Sequence, residues 1–377
     1  MRYYLIIAAL LLGCAYPVTA AQAESSIQAA IWAPPGHQVS RYLHAYWADR
    51  VAEQSGGALT VKTDLGSSRI TPRGAMAELA DGIVDVTTHV AQYTPTELAL
   101  SNALEEIGMT FSDPRVMIAA STDFSLNNPG MQEEWARNRI VFGGGYVTGL
   151  YKLVCNEPII SLADMEGAKL RLPGRAPAAW ANSTGAVTVA LNANEQYGAL
   201  DKGALTCTTT TVADVYNRKL YEVAAHITEL PITLFWAGFG WAYNADAWGD
   251  LTAEQRKALF DAQADAIAAY VVRGIHDEEA EARTKLEEAG VTFHKPAEDL
   301  SASINNFRKN QPDAAVKVAE ETFGIADPAV VLSAFQGTVD KWDNLLNAVP
   351  IEDEEGYANV LRTEIFDKVD VDNYPAN

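Results

Sequence analysis

Histidine, cysteine and positive charge are scarce in this chain, and each scarcity removes a class of function. With 28 Lys and Arg against 49 Asp and Glu, the formal charge is -21 at pH 7. The basic footprint that nucleic acid or an anionic membrane surface requires is missing, so neither is expected as a partner. The six histidines form no HExxH and the three cysteines no CxxC, so no metal site is expected, and no cofactor. No GxSxG marks a hydrolase nucleophile. Gly198 to Gly203 follows a phosphate-loop pattern until Ala204 stands where its Lys belongs. Gly143-Gly144-Gly145 fails as a dinucleotide fingerprint, because Thr148 takes the place of the third glycine and a strand follows instead of a helix. Beyond the first residues no run is apolar enough to cross a bilayer.

The N-terminal stretch reads as an export signal over residues 1–23. Arg2 supplies the positive start, Leu5 to Leu12 the short apolar run, and Ala21-Gln22-Ala23 a small-residue cleavage site. Leu11-Leu12-Gly13-Cys14 resembles a lipobox and offers a lipid anchor at Cys14 as the lesser alternative. Cleavage after Ala23 would leave Cys155 and Cys207 in an oxidising compartment. There they either pair as a disulfide or sit as two small buried residues in neighbouring strands.

At 377 residues, 48% of them hydrophobic, the chain exceeds one ordinary domain, and two lobes are expected. Strand and helix patterns alternate from Ile27 to Val90 and again from Ala168 to Lys219, which predicts an α/β fold whose two sheets are mostly parallel and flanked by helices. The expected division assigns 24–148 and 232–255 to lobe 1 and 149–231 and 256–350 to lobe 2. An acidic tail at 351–377, with poor order expected, completes the chain. Thr252 and Gln255 open a capping box, and no breaker intervenes before Gly290. A helix of that length, about 57 Å, outreaches one lobe. It either breaks near Gly274 or lies across both lobes as a shared spine.

One strand stands out. In Ala168-Lys169-Leu170-Arg171-Leu172-Pro173 the apolar side chains share one face and Lys169 and Arg171 the other. Arg171 is either a solvated charge or a fixed fork for a carboxylate. Hydroxyls follow at Thr208, Thr209, Thr210 and Thr211, suited to ligand oxygens or to capping the next helix. Trp32, Tyr93, Trp180, Trp236 and Trp241 fall at strand ends or helix starts, where they either wall a cleft or fill a core. His37 joins the candidate ligand contacts.

The order and spacing of several short pieces carry a family resemblance. They are Ser55-Gly56-Gly57-Ala58-Leu59, Ala80 to Asp85, Asn156-Glu157-Pro158 with Asp164 to Pro173, Tyr197 to Gly203, and Tyr243-Asn244 with Trp248 and Leu251. Over nearly its whole mature length the chain resembles the periplasmic solute-binding proteins of tripartite ATP-independent periplasmic (TRAP) transporters, of the C4-dicarboxylate-binding type. The resemblance implies two lobes closing on a small organic acid, Arg171 clamping its carboxylate, a helix spanning both lobes, and membrane permease subunits as partners of a periplasmic monomer. Two departures bear on the ligand. Glu157 replaces a second Arg common in the family, and Thr206 to Thr211 replaces an Asp-Gly-Gln-Glu-Asn-Pro run. The expected ligand is a monocarboxylate with a hydroxylated or aromatic body. A ligand-binding sensor component, or a hydrolase using scattered carboxylates, is the competing reading.

Overall fold

The computed structural model describes residues 25–375. The export signal expected at 1–23 and the lipid alternative at Cys14 lie outside the described residues, as do Ala376 and Asn377. Among the described residues the strands are β1 (Ser25–Ile31), β2 (Leu59–Leu65), β3 (Val86–Val90), β4 (Ile140–Gly144), β5 (Lys152–Cys155), β6 (Lys169–Arg171), β7 (Val187–Thr188), β8 (Cys207–Thr210), β9 (His226–Thr228), β10 (Gly238–Asn244) and β11 (Thr292–His294). They build two sheets, ordered β2-β1-β3-β10-β4 and β11-β9-β5-β8-β6-β7, each flanked by helices.

The sheets are mixed. β1 pairs in parallel with β2 and β3, and β6 with β7 and β8, as helical crossovers require. β10 is antiparallel to β3 and β4, and β5 to β8 and β9. Those two strands enter from the other lobe without a helical crossover, so nothing fixes them parallel. The passages that deliver them lie side by side as a ribbon. Thr148 N–H donates to the Phe235 carbonyl at 2.8 Å, Tyr151 N–H to that of Thr233 at 2.8 Å, and Ile232 N–H to that of Tyr151 at 3.0 Å. Glycine is required where the passages meet, because a Cβ on Gly240 would stand 2.4 Å from the Gly145 carbonyl oxygen.

The helix after Thr252 is continuous. Thr252 and Gln255 bond reciprocally at its start, and it runs from 253 to 288 with π-type turns at Tyr270–Asp277 in place of a break. Its length of about 54 Å carries it from lobe 1, where it packs on the helices Trp47–Gln54 and Glu354–Glu364, to the helix Val212–Asn217 of lobe 2. Gly274 lets Tyr42 approach at the wide turns, for a Cβ there would stand 2.8 Å from the ring.

The C-terminal part corrects two expectations. The helix Pro328–Leu346 was assigned to lobe 2 with the rest of 256–350, yet it packs on the helix Pro114–Asn127 of lobe 1. Its stripe of Leu332, Phe335, Val339 and Trp342 needs an apolar partner, and Trp342 Nε1 donates to Asp123 at 2.9 Å. The tail is ordered through residue 375. Glu354–Glu364 is a helix with Tyr357 and Leu361 buried in the lobe 1 core, and the Tyr374 hydroxyl donates to the Phe142 carbonyl at 2.6 Å. Acidic residues take the outer face of that helix, so charge alone misread it. Cys155 and Cys207 stand opposite each other in β5 and β8 and are joined as a disulfide.

Candidate functional site

Where the lobes meet, a cavity of about 60 Å³ is enclosed by side chains of both. At roughly 10–15 Å³ per water on this scale, its volume suits a small molecule and no polymer. Arg171 enters it from β6 and is 2% exposed. Its Nε donates to the Leu191 carbonyl at 3.1 Å and its Nη1 lies 3.5 Å from the Thr209 carbonyl. Those carbonyls fix the fork in place without neutralising it. Among the described residues no carboxylate pairs with Arg171, and its Nη2 has no protein partner. A buried cation left this way carries a desolvation cost that an anionic ligand offsets.

A second guanidinium lines the same cavity. Arg218, on the helix Val212–Asn217 and its C-cap, turns Nε to Asp214 Oδ2 at 3.2 Å, the spacing of i and i+4 on one helix face. Thr210 Oγ1 donates to the same Oδ2 at 3.1 Å. His37 Nε2 lies 3.2 Å from Asp214 Oδ1, close enough for charge interaction but out of line for a hydrogen bond. Val39 N–H donates to His37 Nδ1 at 3.2 Å, which places the proton of a neutral ring on Nε2, facing Asp214. Burial works to raise the Asp214 pKa, and Arg218, His37 and Thr210 together outweigh it, holding the carboxyl far below the usual carboxylate range. For Arg218 burial disfavours the charge and Asp214 more than restores it. Glu279 also lines the cavity and accepts Ala213 N–H at 3.2 Å, while burial pushes its pKa up. Tyr146 and Tyr151 also line the cavity, and burial raises both pKa values, so both hydroxyls stay protonated.

Of the residues singled out in the sequence, Arg171, Trp32, His37, Tyr93 and Thr211 line the cavity. Trp32 and Tyr93 meet edge to face with centroids 6.3 Å apart. Thr211 lines the cavity and also caps the next helix, accepting Asp214 N–H at 3.1 Å. Thr208, Thr209 and Thr210 stand behind the wall. Thr208 donates to Gln196 at 2.9 Å, Thr209 to the Arg171 carbonyl at 3.3 Å, and Thr210 to Asp214. They hold the residues that line the cavity instead of lining it, because β8 is central in its sheet and its side chains are buried.

Three tryptophans belong to cores. Trp180 packs in lobe 2 and donates to Ser303 at 3.3 Å. Trp236 stacks on Phe335 at 4.5 Å, and Trp241 lies against Trp47 at 5.9 Å in lobe 1. Position at a strand end did not distinguish them from Trp32, since the face each presents is set by register. The sequence reading passed over Asp214, Arg218, Tyr146 and Tyr151. An Asp four residues before an Arg in a short helix was the available signal for the first two.

Two lobes linked by a paired crossing, with an unneutralised cation buried where they meet, define a solute-binding protein of the bilobal class. The chain belongs to bacterial extracellular solute-binding protein family 7, the DctP family, whose model matches residues 29–310. No curated protein matches it. Among solved structures, a marine metagenome TRAP solute-binding protein specific for aromatic acid ligands, in complex with metahydroxyphenylacetate, is 21% identical with a TM-score of 0.74 over 85% of this chain and 100% of its own. A TRAP periplasmic solute-binding protein from Bordetella bronchiseptica with bound (R)- and (S)-mandelate is 22% identical, TM-score 0.71, covering 84% of this chain and 99% of its own. One from Chromohalobacter salexigens with bound D-glucuronate is 16% identical, TM-score 0.70, covering 83% and 99%. Identities this low carry the fold and leave the ligand open.

Proposed function

We propose that the protein captures a small monocarboxylate in the periplasm, acting as a monomer without chemistry of its own, and hands it to the membrane subunits of a TRAP transporter. The observation that carries the ligand class is the charge balance of the cavity. Arg218 is matched by Asp214, Glu279 accepts Ala213 N–H with Lys152 as its neighbouring charge, and Arg171 is left buried with no carboxylate partner among the described residues. One carboxylate neutralises it through two parallel charge-assisted bonds, which a planar guanidinium supports and an ammonium does not. Trp32, Tyr93 and Phe235 give the ligand body aromatic surfaces, and the aromatic acids held by two of the neighbouring structures support such a body.

The test is calorimetric titration with the acid retained through native purification, identified by its mass. Arg171→Lys is expected to weaken binding nearly as much as Arg171→Ala, by roughly 2–5 kcal/mol, or about thirtyfold or more. Equal binding of the acid and its amide by the unsubstituted protein, or unchanged affinity in Arg171→Ala, would remove the carboxylate assignment.

A further inference from the structure

We propose that Arg218 is a second ligand anchor, one that recognises a neutral oxygen beside or beyond the carboxylate, so that the solute is an oxygenated monoacid: a hydroxy or oxo acid, and neither a dicarboxylate nor an amino acid. The inference rests on the carboxylate reading of Arg171 and adds a separate element to it.

Glu157, where the family's common second Arg would stand, is exposed and takes no part in the cavity. The second guanidinium comes instead from the end of a different helix. Arg218 spends Nε on Asp214 at 3.2 Å and Nη1 on Asn194 Oδ1 at 3.4 Å. Its Nη2 has no protein partner among the described residues, and it is not sealed off as the buried Trp32 Nε1 is. A guanidinium nitrogen can only donate. Its partner must therefore offer a lone pair, which an ammonium lacks. Asp214 decides between a charged and a neutral acceptor. With that carboxylate 3.2 Å from Arg218 and ionised, the pair carries no net charge, and a second ligand carboxylate would meet no surplus cation to offset its desolvation. A hydroxyl or carbonyl oxygen enters at a much smaller desolvation cost and satisfies the donor. Tyr146 and Tyr151, both protonated, extend the donor surface, while Asp214 Oδ2 is taken by Thr210 and Arg218, its Oδ1 is sealed from the cavity, and Glu279 accepts Ala213 N–H. Thr210, bonded to Asp214 Oδ2, is a positioning residue that acts through it.

The experiment titrates two matched sets of acids into the protein by calorimetry: phenylacetate with mandelate and phenylglyoxylate, and butyrate with 2-hydroxybutyrate and 2-oxobutyrate. Succinate is the dianion. In at least one set the oxygenated acid is expected to bind at least tenfold more tightly than its parent. Arg218→Gln is expected to bring that ratio below threefold, the ratio cancelling any change common to parent and oxygenated acid, and Arg171→Gln to abolish binding of every acid. Asp214→Asn supplies a readout that a merely structural role would not move, because it frees the charge of Arg218 and shifts preference toward succinate by tenfold or more. A ratio that survives Arg218→Gln, or succinate binding tightest to the unsubstituted protein, overturns the role of Arg218 and leaves the carboxylate reading standing. Acid binding that withstands Arg171→Gln, or absence of binding by all seven acids, overturns both.

Discussion

Glu106 shows how burial sets the behaviour of a single residue away from the cavity. It follows the helix Ala99–Glu105, is 7% exposed, and its carboxyl is pushed up to about 7 by burial, with Arg175 opposing. Between pH 4.5 and about 7 the folded protein thus holds a proton that the unfolded chain has released. Stability falls as pH rises through that window, by up to about 3 kcal/mol, and is flat above it for this group. Glu106→Gln should remove this part of the slope, read as the difference in urea unfolding free energy at pH 5 and pH 8. Identical slopes in the two proteins would count against it. Nothing in the sequence marks Glu106, or Glu105 before it, as a buried charge. Arg171 was legible only as one of two readings, because Lys169 shares its face of the strand; the structure exposes Lys169 and buries Arg171. The tryptophans were legible as important and illegible as to place, since burial in a core and burial in a cleft ask for the same residue.

Among the elements, β5 and β8 are joined twice, by their ladder and by the bond between Cys155 and Cys207. The loop so closed has a sequence separation of 52 residues, for which the chain-entropy account gives about 4 kcal/mol of stabilisation. Alkylation without reductant should leave no labelled thiol, and unfolding under reductant should occur at correspondingly lower urea; two labelled thiols in the untreated protein would refute the bridge. Most element types could be read from periodicity, because helices such as Pro114–Asn127 carry their caps in the sequence as Asp113-Pro114. Three features could not. Pro312 lies within one continuous helix, Glu298–Glu321, where a proline ordinarily ends or kinks a helix. The short helix Ala99–Glu105 has no side-chain cap to announce it, and the direction of β5 and β10 depends on partners remote in sequence.

For the whole molecule, four segments join the lobes: the crossing ribbon of two passages, the 253–288 helix, and the helix Glu298–Glu321, which has Leu300 and Ile304 in the lobe 2 core and Ala315 in that of lobe 1. Across the cleft, by contrast, lie light contacts such as Ala193 N–H to Tyr93 Oη at 3.4 Å. Strong joints on one side and weak ones on the other favour motion by rotation of lobes about the ribbon. Small-angle scattering should show a smaller radius of gyration at saturation with the retained acid than after its removal by unfolding and refolding. An unchanged radius at proven saturation would exclude closure.

The bridge between β5 and β8 has a topological consequence. Arg171 falls inside the ring of chain that Cys155 and Cys207 close, whereas Asp214 and Arg218 fall outside it. The two arginines of the cavity therefore differ in tether: the segment bearing Arg171 is closed into a covalent ring once oxidation has occurred, and the helix bearing Asp214 and leading to Arg218 follows the ring in the chain. A chain that reached its compartment before an oxidant did would lack the covalent tether on the Arg171 segment and keep only the ladder between β5 and β8.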